Sequence, residues 1–340
     1  MADSRVRVTL VTVGDQTRRT GGYRYHARLL AGLVARGVSV RQVVAAPADR
    51  ADQLAATATP LTNEDDADVL VVDALARIAS QPWIARRGGR GVVALVHELP
   101  SSAEPDTADP TDEEALLGCD LLVAVSPSVR DTLTARGVPV ERIRIVAPGF
   151  DRHCSEPAFP RRPGEMQVLC VAQWIRRKGI VELLHAWRAR DRAGARLVLV
   201  GETDAHPSYA GEVRTLLRDD IDVLGSVDDA ALAACYARAD VFALPSVAEG
   251  YGIVYAEALA CGIPILACAI GPVPDLVGDA GILVPPRDHG ALVAALDALL
   301  ADAPLREHLG ANANRRAHRL PTWDDCANAF LAVLEEAGGL

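Results

Sequence analysis

Strand and helix signals alternate from end to end and predict an α/β protein built from two doubly wound, mostly parallel sheets. Three observations carry this expectation. Short β-branched runs alternate with Ala- and Leu-rich helical segments. The rhythm breaks once, in a Pro- and Gly-rich stretch near the middle. A chain of 340 residues also suits two cores better than one.

Taken in order, residues 5–13 read as a strand that stops at Gly14. Gly21-Gly22 opens a helix whose Ala27, Leu30, Ala31 and Val34 keep helical spacing up to Gly37. Residues 38–44, 69–72, 92–96, 121–125 and 144–146 read as further strands, each short and apolar, as strands buried on both faces are. Ser126-Pro127, followed by Val129, Leu133 and Gly137, reads as a capped helix. Residues 147–151 with Pro157, Pro160, Pro163 and Gly164 form a stiff linker. Beyond it, strands at 167–171, 196–200, 222–224, 241–244 and 264–267 alternate with helices from Gly179, near 209–217, and at 230–237 and 251–260. Two domains of this kind are expected to leave a cleft at the carboxyl ends of their strands, so chemistry belongs in the loops directly after strands.

Bulk composition narrows the function. Against 35 basic residues stand 45 acidic ones, a net charge of −10, which argues against nucleic acid as a partner. Seven cysteines form no CxxC pair and several lie in apolar runs, so buried free thiols are expected rather than a metal or disulfide framework. No signal peptide and no apolar span near 18 residues is visible, which predicts a soluble, cytoplasmic protein with at most peripheral membrane contact.

The most informative loop follows the strand 241–244 and runs from Pro245 to Ala258. Gly250 and Gly252 flank Tyr251 at a helix start, where the backbone can approach a ligand and unpaired N–H groups favour a phosphate or diphosphate. Glu257 lies five residues beyond Gly252, roughly 7 Å along a helix axis. That spacing suits a ribose attached to a diphosphate at the helix mouth, since a carboxylate accepts hydrogen bonds from two vicinal hydroxyls. Glu249, on the other side, suits the hydroxyls of a sugar. Singly, either glutamate reads as an ordinary surface or turn residue.

Together with Ala258-Leu259-Ala260-Cys261-Gly262-Ile263-Pro264, this stretch resembles the E-x7-E signature of the family-4 retaining glycosyltransferases. The resemblance covers nearly the whole chain. It implies the GT-B fold, two Rossmann-like domains facing across a cleft. The expected division is 1–155 on the acceptor side, 156–320 for the nucleotide sugar, and 321–340 as a helix returning to the first domain. Residues 172–179 resemble the loop in which an Arg and a Lys five residues apart hold the donor diphosphate. Lys178 matches that Lys, whereas Gln173 stands where Arg is usual, with Arg176 or Arg177 as the possible substitute. Gly201 matches a loop bordering the nucleotide, and Gly22 the glycine-rich loop near the transferring sugar. His97 follows the strand 92–96 and matches the family's active-site histidine. The resemblance thus implies His97 and Glu249 as catalytic residues. The implied donor contacts are Gly22, Gln173, Lys178, Gly201, Gly250, Tyr251, Gly252 and Glu257. It further implies retention of configuration, no required metal, and no cofactor beyond a nucleotide-diphosphate sugar as co-substrate. The acceptor is a small or lipid-linked molecule. A binding subunit without transfer activity and a sugar-nucleotide epimerase on the same scaffold are the alternatives.

Other signals read as structural. Asp66-Ala67-Asp68 and Asp220-Ile221-Asp222 fit DxD but precede strands, which makes them solvated turns. Residues 81–90 read as a flexible connector and 104–114 as a solvated acidic loop.

Overall fold

The computed structural model describes residues 6–47, 50–57, 66–103, 108–151, 165–190 and 194–339. The chain divides into two units: residues 1–149 with 321–340, and residues 150–320. Cys154 and the linker residues Pro157, Pro160, Pro163 and Gly164 lie outside the described residues.

The first unit opens with β1 (Arg7–Thr12), α1 (Gly21–Ala35), β2 (Ser39–Val44), α2 (Arg50–Thr57) and β3 (Val69–Asp73). It continues through α3 (Gln81–Ala85), β4 (Gly91–Val96), α4 (Pro100–Ala103) and α5 (Glu114–Leu117). Then come β5 (Leu121–Ala124), α6 (Pro127–Ala135) and β6 (Ile143–Ile145). The strands pair in parallel in the order β2-β1-β3-β4-β5-β6. β1 is flanked by β2 on one side and β3 on the other, so the winding direction reverses between β1 and β3. Helix α6 starts as its sequence predicts, with the Ser126 hydroxyl accepting the Val129 N–H at 3.2 Å.

The second unit comprises β7 (Met166–Val171), α7 (Ile180–Arg188), β8 (Ala195–Val200), α8 (Pro207–Thr215), β9 (Ile221–Gly225) and α9 (Asp229–Arg238). It is completed by β10 (Val241–Leu244), α10 (Ile253–Ala260), β11 (Ile265–Cys268), α11 (Val273–Val277), β12 (Gly281–Val284), α12 (His289–Ala301) and α13 (Ala303–Ala317). Its parallel order is β12-β11-β10-β7-β8-β9. Here the direction reverses between β7 and β10. A crevice at the carboxyl ends of the strands opens at such a reversal and is where open α/β sheets bind ligands.

The last helix, α14 (Trp323–Gly338), belongs to the first unit. A capping box starts it: Thr322 and Asp325 exchange side-chain and backbone hydrogen bonds. Cys326, Phe330 and Leu334 are buried along its inner face. Close approach to α1 requires Gly32, where a side chain would meet the Ala327 Cβ at 2.7 Å.

Several expectations need correction. Interior strands β3, β4 and β5 are buried, but β2 has no buried position and β6 only one, because edge strands have one neighbour and lie at the rim of the sheet. Residues 81–90 are not a plain connector. Pro82 sits in the first turn of α3, where no N–H is needed, and Trp83 is buried; Gly88 and Gly89 alone make the turn, both with positive φ. Residues 104–107 lie outside the described part of the acidic loop; in the remainder Asp109, Pro110, Thr111 and Glu114 are exposed, as expected of a solvated loop, but two of its acids are not. Asp112 and Glu113 are buried and pair with Arg50 and Arg136. The two DxD stretches face solvent to different degrees, Asp66 with 85% of its side chain exposed, and their carboxylates are also paired. Asp66 and Asp68 pair with Arg7, Asp222 pairs with Arg196, and Asp220 accepts the Trp187 indole N–H at 3.0 Å. The six described cysteines are free; five are buried and Cys261 is half-buried. Residues 268–321, to which the sequence pattern assigns no element, form α11, β12, α12 and α13.

Candidate active site

In the second unit the loops after β7 and β10 meet at the reversal point. Gly179 has φ 67°, and any Cβ on it would strike the Pro245 carbonyl, so only glycine lets the two loops touch. The Val247 N–H donates to the Arg177 carbonyl at 2.8 Å, and the Arg177 guanidinium donates to the Ala248 carbonyl at 3.1 Å. This fit brings Lys178 Nζ to 2.7 Å from Glu249 Oε1, with Glu249 only 9% exposed. Burial pushes the Glu249 carboxyl up, but the Lys178 and Arg177 charges and the Lys178 hydrogen bond outweigh it and hold the group below the usual range. Glu249 is therefore an ionised, compensated carboxylate.

Helix α10 is fixed at its start by Tyr255, whose hydroxyl donates to the Leu244 carbonyl at 2.8 Å and whose N–H donates to the Gly252 carbonyl at 3.0 Å. Gly252 caps the helix with φ 91°, and a Cβ there would run into the Tyr255 ring. Gly250 and Tyr251 form the half-buried approach to this cap. The first N–H groups of any helix lack intrahelical acceptors and carry partial positive charge, which suits an anion. Glu257 is 1% exposed and accepts the Tyr236 hydroxyl of α9 at 2.9 Å, so it is an inward group, not a solvated one.

Gln173 and Gly201 sit in adjoining loops after β7 and β8. Gln173 Nε2 donates to Glu202 Oε2 at 2.8 Å, and a Cβ on Gly201 would strike the Ala172 carbonyl. Of the two arginines offered in place of the usual one, Arg176 pairs with Glu212 and lies over the Tyr209 ring, whereas Arg177 reaches the Ala248–Glu249 segment. A cavity of about 540 Å³ in the same unit, between α7 and α12, contains none of the predicted site residues.

In the first unit, Gly22 and His97 are neighbours: a Cβ on Gly22 would stand 3.9 Å from His97 Cδ2. The His97 ring meets the Tyr25 ring edge-to-face at 4.9 Å. Its Nε2 is 3.1 Å from His26 Nε2, and His26 Nε2 is 3.5 Å from Asp73 Oδ2. Burial pushes both imidazoles down to about 4, with His26 lowering His97 further and Asp73 opposing that. Among the described residues, His26, Asp73 and His97 bring three metal-capable side chains within 4.8 Å of one another. Sequence reasoning missed His26, Asp73 and Tyr236. His26 lies one helical turn after Gly22 and Asp73 ends a strand, and these positions were the available signals.

Thus unit 2 gathers Lys178, Glu249 and Gly252 around one crevice, and unit 1 gathers Gly22 and His97. Both sites lie at the reversal points expected of ligand-binding α/β units. Residues 155–316 match the family model of glycosyl transferases group 1. A D-inositol 3-phosphate glycosyltransferase of Xylanimonas cellulosilytica is 32% identical over 289 residues, covering 75% of this chain and 69% of that protein. Sucrose-phosphate synthase of Thermosynechococcus elongatus superimposes with a TM-score of 0.80 at 24% identity, over 98% of this chain and 99% of that one. HepE of Anabaena, in complex with UDP and glucose, gives 0.77 at 18% identity, over 97% and 99%. The fold is that of the GT-B glycosyltransferases, two Rossmann-like α/β domains. The chain belongs to the group 1 glycosyl transferases.

Proposed function

We propose that this glycosyltransferase takes a nucleotide-diphosphate sugar as donor and transfers its sugar to an acceptor hydroxyl with retention of configuration and no required metal. The observation that carries the donor reading is the crevice between the β7 and β10 loops, where Lys178, Glu249 and the start of α10 converge. A diphosphate there meets the α10 amides and Lys178, while Gln173 and Gly201 border the nucleotide. Glu257 takes the ribose, exchanging its Tyr236 bond for hydroxyls, and Glu249 takes the sugar; in the first unit His97 is the catalytic histidine. HepE, a relative in fold, is known with UDP and glucose, which supports a nucleoside-diphosphate donor. Catalysis rests on positioning and on stabilising the negative charge of the departing diphosphate. Gly22 borders the acceptor side, and the acceptor is a small or lipid-linked molecule. Among the described residues no helix is long and apolar enough to cross a membrane. The compartment we assign to the reaction is the cytoplasm. Neither the epimerase nor the inactive-subunit reading draws support from the relatives.

Thermal shift with a panel of nucleoside diphosphates tests the donor assignment on wild type and Glu257→Gln. One nucleotide is expected to stabilise the wild type and to lose most of that effect in the variant. Equal shifts in both proteins remove Glu257 from the donor site.

A further inference from the structure

The reversal point of unit 1 holds a constellation that donor binding does not account for. His26 lies on the buried face of α1, Asp73 ends β3, and His97 follows β4. Asp73 is fully buried; its Oδ1 accepts the Leu75 N–H at 2.9 Å and its Oδ2 accepts the Thr12 hydroxyl at 2.9 Å. Two imidazoles that meet Nε2 to Nε2 share one proton when both are neutral, so one ring donates and the other accepts.

The surroundings decide the direction. If His97 donated, His26 would aim its Nε2 lone pair past the Asp73 carboxylate, and its protonated Nδ1 would be a buried donor with no acceptor. An unmet buried donor gives up its hydrogen bond to water and gains none in return. If His26 donates, its Nε2 hydrogen lies between the His97 nitrogen and the Asp73 oxygen, and only a lone pair at Nδ1 goes unmatched. The second arrangement is favoured on both counts.

We propose that His26 and Asp73 are positioning residues that hold His97 as the Nδ1–H tautomer, so that His97 offers a ligand oxygen a hydrogen-bond donor and not a base. Its Nε2 is occupied by His26, and among the described residues its Nδ1 has no hydrogen-bond partner. The ligand is therefore one that presents an acceptor oxygen, such as a sugar hydroxyl or a phosphoryl oxygen. The tautomer stands on the geometry alone; its effect on rate rests on the transfer reading above.

Long-range proton–nitrogen correlation spectra of the full chain with ¹⁵N-histidine test it directly. His97 is expected to carry its proton at Nδ1 and His26 at Nε2. His26→Gln keeps an amide donor and is expected to preserve the His97 signature and most of the turnover. His26→Leu and Asp73→Asn are expected to mix the His97 tautomers, and in His26→Leu turnover falls at least about tenfold with donor affinity unchanged. A proton at His97 Nε2, or an unaltered His97 spectrum in both His26→Leu and Asp73→Asn, overturns the assignment. So does tight, stoichiometric zinc uptake that His26→Leu abolishes, because 3.1 and 3.5 Å also approximate the edges of a tetrahedron with bonds of roughly 2.0–2.2 Å. If wild type shows the expected spectrum but transfers no sugar, the transfer reading fails and the tautomer assignment holds.

Discussion

Lys178 and Glu249 set the charge balance of the crevice between the β7 and β10 loops. Glu249 is nearly buried, so its charge is tolerable because Lys178 stands 2.7 Å away and Arg177 nearby. Removing one member of such a pair leaves the other charge uncompensated. Lys178→Met is therefore expected to cost about 3–5 kcal/mol in urea denaturation. Adding Glu249→Gln is expected to recover most of that loss, since a neutral amide tolerates burial. A double variant no more stable than Lys178→Met would show that Glu249 is not the charge Lys178 compensates. Gly252→Ala is expected to destabilise by more than about 1 kcal/mol, because φ 91° and the Tyr255 ring both exclude a side chain. The residue types at this site were legible because a helix-mouth glycine pair and spaced glutamates have a recognisable chemistry. Their partners were not. Nothing in one-dimensional spacing tells that Lys178 meets Glu249 across 71 positions, that Gln173 turns to Glu202, or that Tyr236 caps Glu257.

At the scale of elements, the alternation of short apolar runs with helical segments suffices for β1 to β11, because interior parallel strands are apolar at every position. It does not reveal the strand order. The reversals between β1 and β3 and between β7 and β10 come from pairings distant in sequence, yet they place the site. The region from α11 to α13, with the edge strand β12, escapes because α12 is apolar on most faces and its period is weak. Pro82 misleads because proline at a helix start is compatible with the helix, whereas proline in its interior is not. Helix α14 shows what local signals do deliver. Its Thr322–Asp325 box satisfies N–H groups that the first turn cannot bond. Thr322→Ala is expected to lower stability by about 1 kcal/mol, read from the urea midpoint. The loss should speed hydrogen exchange in α14 and in α1, which pack together; faster exchange in α10 instead would contradict the assignment of α14 to the first unit.

For the whole molecule, the two units carry opposite kinds of buried charge chemistry, and acid should separate them. In the first unit His26 and His97 are neutral, with pKa values pushed from 6.5 to about 4 by burial. The unfolded chain binds protons at these histidines below pH 6.5 while the folded unit resists until about 4, so stability falls as pH drops through that window. A tenfold difference in proton affinity between the folded and unfolded chain is worth about 1.4 kcal/mol, which makes His26 alone a loss on the order of 3 kcal/mol near pH 4. Asp73 partly offsets this, since burial raises its carboxyl and lets the folded unit take up a proton above 3.8. Tyr25, the other titratable group against His97, is raised by burial and stays neutral throughout. In the second unit Glu249 is held below its usual range, so its contribution persists through the histidine window and is lost only at more acidic pH. Hydrogen exchange at pH 7 and pH 5 is therefore expected to show β3, β4 and α1 weakening while β7, β10 and α10 keep their protection. His26→Gln removes one of the two titrating rings and should flatten the pH dependence of the first unit without touching the second. Parallel loss of protection in both units at pH 5 would place the acid-sensitive group elsewhere.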